Sequence, residues 1–230
     1  MTKAVILTLC FYAFLIGGLK GHGQGFVNLN FESATLIPIA GDAYNSVYFD
    51  QAFPGWTGDC GGIQQTGALY DSLFLDSSGI GILDDQTQAG LKPIQGNYTA
   101  ALEAGLQLFS GGPADTTLSQ SGVVPAGAQS LVFQAVVVGT GTFAVVLGGQ
   151  TLSLTPVFSR PNYTLYAADI HGWAGKEGTL SFTVFAQRPY DSPVTLFLDS
   201  ITFSTQSIPE PSTWALLALG LGGLVWLRRR

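Results

Sequence analysis

Between residues 26 and 204 the chain runs in short segments whose apolar positions alternate with polar or small ones, broken by Gly, Pro, Asn and Asp. Phe143-Val145-Leu147 and Leu180-Phe182-Val184 carry an apolar side chain at every second position. A period of two puts those side chains on one face of a strand. Leu152 and Leu154, followed by Pro156, continue the pattern, whereas Leu131 to Val138 and Leu196 to Phe203 are apolar on both sides. Two-sided strands are central in a sheet or face a second copy of the chain. No long stretch has the 3.6-residue period of a helix. With about eleven candidate strands at short, regular spacing, the pattern predicts a single all-β domain over residues 26–204, a β-sandwich of the jelly-roll kind. A barrel or an immunoglobulin-like sandwich is the alternative. Gly111-Gly112 and Gly148-Gly149 read as turns, and residues 205–207 as a linker.

Both ends break the pattern with continuous apolar runs. Residues 1–25 open with Lys3, are uncharged and apolar from Ala4 to Leu19, and close on Gly21, Gly23 and Gly25. This order predicts a secretory signal peptide, cut by signal peptidase after Gly23 or Gly25. The other end, residues 208–230, reads Pro209-Glu210-Pro211, then an apolar run from Trp214 to Leu227, then Arg228-Arg229-Arg230. As a helix the run 214–227 would rise about 21 Å, short of a ~30 Å hydrocarbon core, so it predicts a short transmembrane anchor. Trp214 and Trp226 fall at its two interfaces, and the three arginines hold its end on the cytoplasmic side. Pro209 and Pro211 fix φ and remove two N–H donors, which presents Glu210 on a stiff extended segment.

Charge narrows the partners. Between Gly25 and Ser207 there are fourteen acidic residues and four basic ones, Lys92, Arg160, Lys176 and Arg188, a formal charge of −10. Such a surface repels phosphate backbones, which argues against nucleic-acid binding. Cys10 lies in the leader and Cys60 alone in the rest, so the processed chain has no intramolecular disulfide and no thiolate metal site. Histidine occurs only as His22 and His171, and no Gly-x-Ser-x-Gly elbow is present, so histidine-ligated zinc and serine-triad chemistry are poorly served. A glycoside hydrolase needs only two facing carboxylates and stays open as the enzymatic alternative. Loop aromatics Tyr44, Trp56 and Trp173 are candidate platforms for a sugar ring, core packing being the other reading of each.

Two resemblances add to this. The order of Pro209-Glu210-Pro211, a short hydrophobic helix and a terminal basic cluster resembles the PEP-CTERM sorting signal of exported proteins in Gram-negative bacteria. That resemblance implies recognition by an exosortase, anchoring in the inner membrane during sorting, and delivery to the cell surface or the extracellular polysaccharide matrix. A plain C-terminal membrane anchor is the alternative. Val27-Asn28-Leu29-Asn30-Phe31-Glu32, Phe53-Pro54-Gly55-Trp56 and Leu196-Phe197-Leu198-Asp199-Ser200-Ile201 resemble the galactose-binding-like sandwich of carbohydrate-binding modules, with an opening Asn-x-x-Phe-Glu strand and a closing Leu-Asp-x-Ile strand. This second likeness implies a structural calcium ion held by Glu32 and Asp199, and a non-catalytic, structural or adhesive role with polysaccharide as partner.

Overall fold

The computed structural model describes residues 24–73, 76–85, 92–107, 110–188 and 192–208. The expected signal peptide up to His22-Gly23, and the tail from Pro209 to Arg230 with its proline motif, helix and arginines, lie outside the described residues. In chain order the elements are β1 (Ser46–Tyr48), α1 (Phe49–Ala52), β2 (Thr57–Cys60), β3 (Ile63–Gln64), β4 (Gly67–Tyr70), β5 (Gly79–Leu83) and β6 (Thr99–Leu106). There follow β7 (Pro113–Ala114), β8 (Thr116–Val123), β9 (Ser130–Val138), β10 (Phe143–Leu147), β11 (Gln150–Thr151) and β12 (Thr155–Arg160). After β13 (Tyr163–Asp169) comes a single 3-10 turn, His171–Trp173, and then β14 (Glu177–Val184) and β15 (Val194–Ser204).

The strands form two sheets. One has the order β1-β4-β5-β6-β15-β9-β13-β12, with β7 added beside β6, and the other the order β11-β10-β14-β8-β2-β3. Apart from the parallel pair β4–β5, neighbouring strands are antiparallel. From β8 onward the chain alternates between the sheets in single strands or adjacent pairs, so that β8, β10, β11 and β14 lie in one while β9, β12, β13 and β15 lie in the other. This alternation is the double Greek key of a jelly roll, as the strand pattern predicts.

The alternating strands supply the core. Leu118, Leu180, Phe182, Val145 and Leu147 of the smaller sheet meet Leu131, Phe133, Leu102, Leu196 and Leu198 of the larger. At the centre Phe133 stands edge-on to Phe182 at 5.2 Å and stacks on Tyr166 at 5.5 Å. Each such ring is worth about 3–5 kcal/mol against truncation to alanine. β15 is central, flanked by β6 and β9, and is buried on both faces. Leu196 and Leu198 face the core, while Phe197 joins Leu83 and Ala101 in a second cluster on the outer face, covered by Leu73, Ile94 and Val136. The two-sided hydrophobicity of its sequence therefore reflects covering loops.

Three local expectations change. Residues 27–32 are a turn, not an opening strand, because Asn28 and Phe31 adopt φ of 49° and 60°, outside the extended region. The segment is pinned instead by Gln120, whose carboxamide donates to Val27 O at 3.0 Å and accepts from Val27 N at 2.6 Å. Leu152 and Leu154 lie on the crossing between β11 and β12, half-buried against the core, and the strand begins at Thr155. It tolerates Pro156 because β12 is the edge of its sheet, bulged between Pro156 and Phe158. Finally, Gln206 is held to the sandwich, its carbonyl accepting from Ser130 Oγ at 2.7 Å.

Candidate functional site

Trp56 is the plainest correction among the candidate sugar contacts. Its side chain is 5% exposed, its ring lies 5.8 Å from Phe31 and 6.4 Å from Phe182, and its Nε1–H donates to Asn28 O at 3.0 Å. No ring face is available to a ligand. The Pro54-Gly55 turn, with Gly55 at φ 85°, drops the indole into the end of the core.

Glu32 and Asp199 do converge, but on one loop. Glu32 Oε1 accepts the N–H groups of Asn97 and Tyr98 at 2.7 and 3.1 Å, and Oε2 accepts the Asn97 carboxamide at 2.7 Å. Asp199, 1% exposed at the bulge of β15, accepts Gln95 N–H at 3.0 Å and Thr99 Oγ–H at 2.7 Å on Oδ2. Its Oδ1 accepts Ser200 N–H at 2.6 Å, and the Ser200 hydroxyl, 3.3 Å from Oδ1, lies closer to Gln95 Oε1 at 3.0 Å. Burial pushes the Asp199 carboxyl up to about 6 against the pull of these donors. A carboxylate has about four acceptor sites, so Asp199 and Glu32 each have three filled by donors. Donor hydrogens aimed at the oxygens suit an anion and oppose a cation, so the pair does not fit the structural calcium ion that the resemblance implies. Its work is to clamp the segment 95–99 before β6.

Trp173 lies half-buried in the 3-10 turn against Gly148, whose missing side chain makes room for the six-membered ring. Beside it opens a recess of about 270 Å³ lined by Gln150, Asp169, His171 and Lys176. His171 Nδ1 is 2.7 Å from Asp169 Oδ1. Donation from the His171 backbone N–H and ring holds the Asp169 carboxyl below its ordinary range. An ionised carboxylate only accepts, so Nδ1 carries the hydrogen. Among the described residues lining this recess there is no serine or cysteine, so the Asp–His pair has no nucleophile to activate.

Tyr44 sits in a loop between the Pro38–Val47 bridge and β1, 57% exposed. Asp42 shapes that loop. Its Oδ2 accepts Tyr44 N–H at 2.9 Å and Ser46 N–H at 3.0 Å, and these donors, Ser46 first, hold its carboxyl below the ordinary range. Asn45, at φ 59°, donates its carboxamide to Tyr70 O at 2.9 Å. The loop borders a groove of about 400 Å³ that also draws on Ile63, Gln64, Gln65, Thr66 and Gln107. Sequence reasoning names Tyr44 but misses the glutamines, because β3 and the end of β6 are brought to it only by sheet pairing. The Asp-x-Tyr-x-Ser spacing, which suits a side-chain-capped turn, was the available signal.

Residues 207–230 match the family model described as the PEP-CTERM protein-sorting motif. The chain carries a PEP-CTERM sorting tail. The motif marks exported proteins of Gram-negative bacteria that are anchored in the membrane and then sorted to the surface by exosortase processing. No curated protein matches the chain. Among solved structures it is similar to TmCBM61 in complex with β-1,4-galactotriose, at 12% identity and TM-score 0.45, over 77% of this chain and 95% of that one. It is also similar to the K2 cleaved adhesin domain of Lys-gingipain, at 15% identity and TM-score 0.41, over 76% and 95%. At these values no residue role passes from those proteins to this one.

Proposed function

We propose that this chain is a non-catalytic, structural or adhesive sandwich, exported by its signal peptide, released by an exosortase near Pro209-Glu210-Pro211, and retained at the cell surface by polysaccharide. The observation that carries the reading is the sorting motif at residues 207–230. Signal peptidase and exosortase are its processing partners, and the inner membrane holds it between the two cuts.

The surface chemistry supports binding over catalysis. Hydrolysis of a glycosidic bond calls for two carboxylates facing across a cleft. Among the described residues the Tyr44 groove is lined by one carboxylate, Asp42, and the Trp173 recess by one, Asp169. Both are engaged in shaping their own loops. Glu32 and Asp199 are taken up in clamping a segment of backbone.

The test is to incubate the full chain with polysaccharide from the matrix of the producing cells and to measure retention and released reducing ends together. Retention without release is the expected result. Release that one carboxylate substitution abolishes would replace this reading with a surface glycoside hydrolase, and neither retention nor release would refute polysaccharide binding.

A further inference from the structure

The sandwich has two unlike ends, and strand β8 connects them. At its Val123 end, Val123 N–H donates to Gln24 O at 3.0 Å, and the nearby ring of Phe26 lies 5.0 Å from that of Phe203. The loop that follows β8 leads to Ser130, whose hydroxyl holds the carbonyl of Gln206. Both described ends of the chain thus leave from one end of the sandwich. At the Thr116 end of β8, Thr116 pairs with Cys60, and Gly61 N–H donates to Asp115 O at 2.9 Å. The Tyr44 groove opens here, and the eight residues of β8 put about 23 Å between the two ends.

Eight residues carry the chain from the clamped Gln206 to Trp214, where the expected anchor begins, a reach of about 27 Å at full extension. While the C-terminal segment is in the membrane, the terminal end of the sandwich is the end tethered to it. The Tyr44 groove lies at the opposite end.

Among the described residues the lining of that groove is uncharged apart from Asp42. Tyr44 and Ile63, 57% and 52% exposed, offer apolar faces beside the carboxamides of Gln64 and Gln107 and the hydroxyl of Thr66. No lysine or arginine lines it among the described residues. A pyranose presents a C–H face to an aromatic ring and a rim of hydroxyls to amides, which is the complement of this surface. A uronate would meet no cation in the groove and the −10 field of the domain around it. We propose that the Tyr44 groove, at the end of the sandwich opposite the tether, is the polysaccharide site and that it takes an uncharged glycan chain. This rests on the reading of the sandwich as a polysaccharide-binding surface protein.

The test is affinity electrophoresis of the full chain in detergent through gels containing dextran, hydroxyethylcellulose or galactomannan, and in parallel alginate or polygalacturonate. At least one neutral polymer should retard the protein, independently of added salt, and neither acidic polymer should. Tyr44→Ala should weaken retardation tenfold or more and Gln64→Ala severalfold, while Trp173→Ala leaves it unchanged. Because Tyr44 and Gln64 are exposed, an unchanged melting temperature certifies the folded variants. Retardation by the acidic polymers, or retardation lost with Trp173 and kept without Tyr44, would overturn the groove assignment and leave polysaccharide binding standing. Retardation by no polymer would overturn both.

Discussion

Asp199 gives the protein a pH dependence whose sign and size follow from its surroundings. In the unfolded chain its carboxyl titrates near the ordinary value of 3.8, and in the fold burial moves it to about 6. A tenfold change in a proton-binding equilibrium is about 1.4 kcal/mol, so the displacement amounts to about 3 kcal/mol. Between these two values the folded chain binds the proton that the unfolded chain has released, so stability falls as pH rises. The contribution is fully present below about pH 4 and gone above about pH 6. Asp199→Asn removes the titration while keeping the shape. Asparagine loses acceptor sites for the Ser200, Gln95 and Thr99 donors, which costs a fixed amount at every pH. The informative quantity is therefore the stability of the variant minus that of the parent, from urea unfolding at a series of pH values. That difference should move in favour of asparagine by about 2 kcal/mol between pH 4 and pH 7. A difference that stays constant, or moves toward aspartate, would refute the account of Asp199 as a carboxyl whose burial outweighs its donors.

Gly148→Ala places a methyl group against the Trp173 ring at a residue with φ 56°. It should cost about 2–4 kcal/mol and shift tryptophan fluorescence toward that of an exposed indole, both measurable in one denaturation series. Cys60 is buried, with its thiol pushed up to about 11 chiefly by that burial, so a thiol reagent at pH 8 should leave the native chain unmodified and label it in urea. Fast labelling of the native chain would contradict its placement. Calcium addition and chelation should leave the melting temperature unchanged, and a rise of several degrees with calcium would show that Glu32 and Asp199 can turn to a cation.

The jelly roll was legible where one face of a strand is buried and the other wet, as in β10 and β14. There the period of two survives in the sequence. It was illegible in β6, Thr-Ala-Ala-Leu-Glu-Ala-Gly-Leu, whose alanines, leucines and glutamate favour helix by propensity and become strand because both faces are covered. Small residues are what that double burial admits. The opening turn was misread because Phe31 takes a left-handed conformation that an aromatic residue rarely adopts, and the Phe53 and Trp56 rings around it hold it there. For the site, an aromatic residue in a loop is visible in sequence, but its burial is not. Tyr44, Trp56 and Trp173 look alike on paper, and packing separates them into a groove edge, a core ring and a half-buried ring seated on glycine. The acidic pair was found for the wrong chemistry, since spacing cannot reveal that backbone N–H groups already occupy the carboxylates.

The central claim is that the chain is trimmed at both ends and sorted to the surface, and intact-mass spectrometry of the protein from its own cells reads both ends at once. Membrane and culture-medium fractions would be compared. The account predicts a surface or medium form that has lost residues up to Gly23 or Gly25 and ends between Pro209 and Thr213. A mature chain that still ends at Arg230 in sorting-competent cells would contradict it and leave a tail-anchored protein in its place.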